Sequence, residues 1–279
     1  MTKAEKNRSM RSVGIRSRRL MLLMCIFVAG LTAAQTAIAQ NPDQLTPIQR
    51  EIERQRQRLS SSDIEERRDA LMRLGNLKRP DASRVAAAGL NDLDVQVRVA
   101  AAHAIVFLPP TDAAGLLLPL LQDRTEFIRR EAAYALGETR SRSAVARLSE
   151  LLSGDKEAAV RGAAAVALGQ IGDDTAVNAL SQALSGTKKK KAAPGDEFVM
   201  RSAAHALGQI RSRAGLPVLI AALADDQSPL DVRREAAAAL GLIGDTSAAP
   251  SLRAVLDSSE PYLVEAAREA LRRLATARN

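Results

Sequence analysis

The stretch RGAAAVALGQIGDDTA, residues 161–176, carries two glycines three apart, Gly169 and Gly172. Glycines so spaced can open a loop whose backbone N–H groups cradle a phosphate. That chemistry needs a preceding strand and a Gly-Lys-Ser/Thr ending, and neither is found here. The other candidates for chemistry are the two histidines, His103 and His205, which could act as acid, base or metal ligand. Neither lies beside a Ser-Gly elbow that would activate a nucleophile. The single cysteine, Cys25, falls in a segment expected to be removed.

The glycines make sense as part of a repeat. VRGAAAVALGQIGD (160–173) superimposes without gaps on VRREAAAALGLIGD (232–245), IRREAAYALGETRS (128–141), VRVAAAHAIVFLPP (97–110) and VMRSAAHALGQIRS (199–212), with weaker copies near Glu66 and Leu263. The residue after the leading Val, taken as the register position, is Arg67, Arg98, Arg129, Arg161, Met200, Arg233 and Val264, at spacings of 31, 31, 32, 39, 33 and 31. Position +3 is alanine in every copy, small enough to let helices approach closely, and +7 is Leu or Ile. With −1 and +10 these form the apolar stripe of an amphipathic helix, leaving +1, +2, +5 and +9 to solvent. The Gly-Asp that often follows marks a helix end. Second leucine-rich helices lie between, as in TAVNALSQALSG (175–186). Each repeat is then a helical hairpin that must stack on its neighbours to bury its stripe. The expected fold is an all-α solenoid of about seven hairpins with a period near 31 residues.

Residues 1–39 stand apart. A basic lead from Lys3 to Arg19 runs into the apolar LMLLMCIFVAGLTAA and then Ala37-Ile38-Ala39, the small-x-small pattern of a cleaved signal peptide. Export to the periplasm or medium is expected, with Gln40 the first mature residue and no permanent membrane span. Arg18-Arg19 before the apolar run also fits export of an already folded chain, and both routes stay open. The leader holds seven Lys or Arg and one acid, so the net charge falls from +8 to +2 on its removal. With little surplus charge and no Trp, nucleic acid is not an expected partner. Residues 40–62 read as a capping helix and linker, with Thr46 as N-cap and Pro47 at the first helical position, and 46–60 completing the first hairpin. The repeats fill 63–279, interrupted by a Lys-rich insertion at 186–196.

The repeated Asp, Val-Arg, Ala-Ala-x-Ala-Leu-Gly-x-Ile-Gly-Asp pattern resembles the HEAT-like repeats of phycobilisome lyases and many bacterial scaffold proteins, over about residues 46–275. The resemblance implies that the Val-Arg helix lines a concave face. It also implies a ladder between repeats, made by an acid and the register arginine: Asp63, Arg67, Asp94, Arg98, Arg129, Glu157, Arg161 and Arg233. Met200 and Val264 lack the arginine, so an incomplete ladder is expected. Some HEAT-repeat hydroxylases hold two irons with His-Glu pairs; both histidines here are followed by alanine. Bilin attachment, the lyases' role, acts on cytosolic pigment proteins and conflicts with export.

Two surfaces could serve a partner. Position +5 gathers Met72, His103, Tyr134 and His205; with Phe107, Arg130, Glu131 and Glu138 they form the expected protein- or peptide-binding groove, since large amphipathic side chains make good anchors. Lys188, Lys189, Lys190 and Lys191 form a loop that could touch an anionic surface or remain solvated. No cofactor, metal site or catalytic residue is expected. The sequence therefore predicts an exported, non-catalytic scaffold or adaptor. The alternative is an accessory or chaperone-like subunit of an envelope enzyme with bilin-lyase-like ancestry.

Overall fold

The computed structural model describes residues 45–186 and 196–276; the expected leader and Lys188–Lys191 lie outside the described residues. The chain divides into two compact units, 1–53 and 54–279. Among the described residues it contains fourteen α-helices, in seven consecutive pairs along the chain, and no strand. These are α1 (Pro47–Arg58), α2 (Ile64–Asn76), α3 (Pro80–Ala86), α4 (Val95–Ala104), α5 (Pro110–Leu117), α6 (Glu126–Thr139) and α7 (Val145–Gly154). They continue as α8 (Ala158–Ile171), α9 (Val177–Ser185), α10 (Asp196–Ile210), α11 (Leu216–Ala224), α12 (Leu230–Ile243), α13 (Ala249–Ala254) and α14 (Pro261–Thr276). This is the expected all-α solenoid.

In the first unit, the start of α1 is fixed by a reciprocal cap: the Gln49 amide donates to Thr46 Oγ1 at 3.3 Å, and the Thr46 amide to Gln49 Oε1 at 2.9 Å. In the second unit, the register helices α2, α4, α6, α8, α10, α12 and α14 pack each on the next, and the intervening helices form a second layer. The alanines at +3, from Ala70 to Ala267, are completely buried in all seven copies.

A second column makes the seam between register helices. Position +8 is Gly75, Gly137, Gly169, Gly208 and Gly241, and each faces the alanine at +6 of the next repeat. A methyl group added at Gly169 would lie 2.8 Å from Cα of Ala206, and one at Gly241 only 2.7 Å from Cα of Ala270. Side-chain-free glycine is what lets these backbones touch. Position +11 is left-handed: Lys78, Arg140 and Arg211 have φ of 51, 52 and 60°, where Gly172 and Gly244 have 72 and 79°. The second copy breaks both rules, with Val106 at +8 and Pro109 at +11. Proline cannot take a positive φ, and α4 accordingly ends at Ala104, with Ile105 as its cap.

The solvent columns are narrower than expected. Gly162 at +1 is buried, as are Ala163 and Ser202 at +2. The neighbouring repeat covers this side of the helix: the ring of Phe198 occupies the space where a Gly162 side chain would stand.

The ladder exists, but mostly with different acids. Arg67 donates from Nε and Nη2 to both carboxylate oxygens of Asp92, at 2.7 and 2.9 Å, and Arg129 does the same to Asp155, at 2.7 and 3.0 Å. Arg161 reaches Asp196 at 2.8 Å, and this rung does use the acid four residues before a register position, here Met200. Each of these arginines also donates Nη1 to carbonyls five and six residues before itself, so one side chain ties its own loop to the next repeat. The expected acids Asp63, Asp94 and Glu157 are not the partners. They sit at helix N-caps, where Asp63 accepts from the Glu65 amide and Asp94 from those of Gln96 and Val97, turning both carboxylates back onto their own helices. Asp92, Asp123 and Asp155, each six residues before a register arginine, lie beyond the cap and face the preceding repeat's arginine. Arg98 is the weak rung: its Nη2 is 3.8 Å from Asp123, and its buried Nε has no hydrogen-bond partner. Arg233 stays within its own repeat, bonded to the Leu223 carbonyl and to Asp226.

Candidate functional site

The irregular second copy is where the register-helix face opens. An open groove of about 580 Å³ lies along α2 and α4, lined among others by Leu71, Met72, Val99, Ala100, Phe107 and Phe127. That volume is within the usual range of roughly 300–1,000 Å³ for sites that enclose a ligand. Met72 is 56% exposed and Phe127 37%.

The contrast between Phe127 and Phe198 shows why the groove exists. Both stand two residues before a register position. Phe198 sinks onto Gly162 of the preceding repeat, whereas the equivalent preceding residue for Phe127 is Val99. A branched side chain stands where glycine leaves room in the other repeat, and Phe127 remains 37% exposed and lines the groove. Early termination of α4 then places Phe107 beyond the last helical turn, also on the groove.

Polar groups brace one wall. His103 Nε2 is 3.1 Å from Glu131 Oε2, across the α4–α6 joint. Glu131 Oε1 accepts from Arg130 Nε at 2.9 Å, and the Arg130 guanidinium lies 4.9 Å from the Phe127 ring centroid. A carboxylate on this nitrogen sets the orientation of the imidazole ring. The arrangement recurs once: His205 Nδ1 is 2.7 Å from Glu235 Oε1 across the α10–α12 joint. In both cases +5 of one repeat meets +2 of the next. The remaining charged side chains of the groove are Arg68 and Lys78, and no Asp or Glu lines it.

The expected groove residues are therefore only partly gathered. Met72, His103 and Phe107 line it; Arg130 and Glu131 buttress it. Tyr134, half-buried on α6, and Glu138, exposed at that helix's far end, do not line it, and neither does His205 on α10. The lining residues that sequence reasoning missed are chiefly Arg68, Lys78, Val99 and Phe127. A signal for Phe127 was present, since Phe127, Phe198 and Tyr262 share the −2 column. Among the described residues no cluster of three or more His, Cys, Asp or Glu could hold a metal ion, and no helix is long and apolar enough to cross a membrane.

The regular stacking defines the class. The HEAT-repeat family model matches residues 52–136, 116–194 and 190–272, and the chain belongs to that family. Two curated relatives share a short segment. Deoxyhypusine hydroxylase of Gallus gallus is 41% identical over 71 residues, 25% of this chain and 24% of the relative. The bilin biosynthesis protein PecE of Mastigocladus laminosus is 44% identical over 71 residues, 25% of this chain and 26% of the relative. The chain thus spans about a quarter of the length of the curated relatives it matches. In fold it is similar to the complex of CpcE and CpcF of phycocyanin lyase from Nostoc sp., with a TM-score of 0.50 and 24% identity, covering 85% of this chain and 96% of that one.

These relatives correct the expectation of a non-catalytic protein, because one is named a hydroxylase and the other a biosynthesis protein. The exclusion rested on motifs with short local spacing. A solenoid instead brings side chains together from successive repeats: His103 and Glu131 are 28 residues apart, and His205 and Glu235 are 30. No local motif search reports such pairs.

Proposed function

We propose that the protein is an exported HEAT-repeat solenoid that binds a protein or peptide partner in the groove along α2 and α4. The supporting observation is the groove itself: a largely apolar groove with Met72 and Phe127 exposed, along two helices tied by the Arg67–Asp92 rung. An amphipathic helix laid into such a groove would bury its apolar face against these side chains. Export rests on the leader at residues 1–39.

A photo-crosslinking amino acid placed at Met72 in the native host tests the site, with one at His205 as control. Adducts of defined mass from position 72 alone are expected. Replacing Met72 and Phe107 with serine should abolish the adduct-forming partner's binding, while changing Lys188–Lys191 to glutamine should leave it intact. The reverse pattern transfers the site to the lysine loop. Mature protein should begin at or next to Gln40; a chain retaining Met1 in the membrane fraction sinks the export component.

The shared segments with PecE and the hydroxylase favour a second reading, in which the partner-bound solenoid is a subunit of a catalytic assembly. Co-purification of a pigment or metal in stoichiometric amount supports it.

A further inference from the structure

We infer that the groove takes an acidic peptide, whose apolar side chains enter between α2 and α4 and whose carboxylates meet Arg68 and Lys78. The inference rests on the groove being a peptide site and adds the partner's chemistry. Charge complementarity carries it. Arg68 and Lys78 line the groove, no Asp or Glu does, and the nearest carboxylate behind His103, Glu131, is already engaged by Arg130 and His103.

The two cations are held differently. Arg68 Nη1 donates to Gln96 Oε1 at 2.6 Å, and Nη2 lies 2.6 Å from Glu65, so the guanidinium is fixed across the α2–α4 joint with its other N–H groups left over. A guanidinium has five such donors in a planar fork suited to a carboxylate. Lys78 is exposed, and its ammonium makes no ion pair among the described residues. Its backbone is locked in the left-handed turn after α2, where its amide donates to the Gly75 carbonyl at 3.0 Å. Arg140 and Arg211 occupy the same turn in other repeats, and all three benefit from the negative end of a helix dipole. Of the three, Lys78 is the one beside the apolar groove. A neutral apolar peptide would leave the Lys78 ammonium partly desolvated and unpaired and the spare Arg68 N–H groups unmet, whereas an acidic one satisfies both.

Three fluorescein-labelled helical peptides of about 14 residues, long enough to populate a helix, test this against the full mature chain by fluorescence anisotropy. All carry leucines at i, i+3, i+4 and i+7; the flanking positions are all Glu, all Gln or all Lys. The Glu peptide is expected to bind about tenfold tighter than the Gln peptide, with the Lys peptide weakest, and the difference should shrink as salt is raised. Lys78→Gln, an exposed change that leaves the joint intact, should weaken the Glu peptide several-fold and leave the Gln peptide unchanged; adding Arg68→Gln should erase the preference. Equal affinity for Glu and Gln peptides, both lost in the Met72→Ser/Phe107→Ser variant, overturns the acidic partner and leaves the groove. A Glu-peptide preference lost only when Lys188–Lys191 become glutamine also overturns it. Failure of every peptide to bind overturns both.

Discussion

The joints around α4 and those from α8 to α14 are made from the same repeat, yet one set is loose and the other tight. Between α8 and α10, and again between α12 and α14, a glycine lies against alanine backbone at 2.8 and 2.7 Å from where its methyl would be. At the α2–α4 joint the same distance is 3.3 Å, and at α4–α6 the glycine is replaced by Val106. The ladder arginine of α6 grips Asp155 with two bonds, as Arg67 grips Asp92 across the α2–α4 joint, while that of α4 stands 3.8 Å from Asp123, so the α4–α6 joint is where both devices fail. Where the pattern is kept the result is a closed seam; where three positions depart from it the face opens and apolar side chains stay exposed. The binding surface is thus a local relaxation of the repeat and needed no added element.

The widest gap between the two regions should appear on removing the ladder arginines. Arg129→Ala deletes a paired, largely buried cation with four hydrogen bonds, and a loss of about 3 kcal/mol is expected in chemical denaturation. Arg98→Ala should cost about 1 kcal/mol, because its rung is already incomplete. Equal losses would show the α4 joint to be as tight as its neighbours.

The glycines should divide in the same direction with smaller amplitude. Gly169→Ala forces a methyl into the Ala206 backbone and should cost about 2 kcal/mol, even though alanine favours a helix. Gly75→Ala meets its neighbour at 3.3 Å and should be neutral within about 0.5 kcal/mol. A comparable drop in melting temperature for both would place the seam elsewhere.

Acid should act through the ladder. The Arg67 hydrogen bonds hold the Asp92 carboxyl below its ordinary range. For Asp155, burial pushes upward, but the Arg129 fork and the Glu157 amide outweigh it and the carboxyl is again lowered. Carboxyls depressed in the folded state stabilise it above their unfolded value, near 3.9, and lose that contribution as pH falls through the folded value. Melting temperature should therefore be flat from neutrality down to about pH 5 and fall steeply below about pH 4. Asp155→Asn should lower stability at pH 7 by about 1–2 kcal/mol and flatten the acid limb. An unchanged limb would remove the ladder from acid unfolding.

The smallest effect concerns the left-handed turns. Arg140→Gly relaxes a strained backbone position in a regular repeat and should raise stability by about 0.5 kcal/mol. Lys78→Gly should match it on the loose side, the one respect in which the two regions ought to behave alike.

Much of the fold was legible because stacking imposes columns. An alanine at +3 in every copy and a stripe at −1, +3 and +7 leave one helical phase, and that phase is the one observed. The ladder acids were partly legible: of those four residues before the register position, Asp63 and Asp94 are caps, whereas Asp196 does pair with Arg161. The other partners, Asp92, Asp123 and Asp155, form a column equally visible at −6. The groove was half legible. Met72, His103 and Phe107 stood out as large side chains on outward positions. Phe127 did not, because its exposure depends on Val99 in another repeat, a relation between columns that neither helix shows alone. Tyr134 was gathered in by sharing a column with the histidines, yet columns place residues in successive repeats side by side without making them share a groove.

A glycine at +8 and an alanine at +6 are nearly all that two successive repeats must agree upon. Both travel within a single unit, so a duplicated segment arrives already able to dock on its parent, and its descendants can drift everywhere else. In these terms the second repeat is a copy that departs from the shared pattern on one side, with Val106 at +8, and keeps Ala104 at +6 on the other. What enters the groove can thus change by inheritance in three helices, while the other repeats go on reproducing the mount.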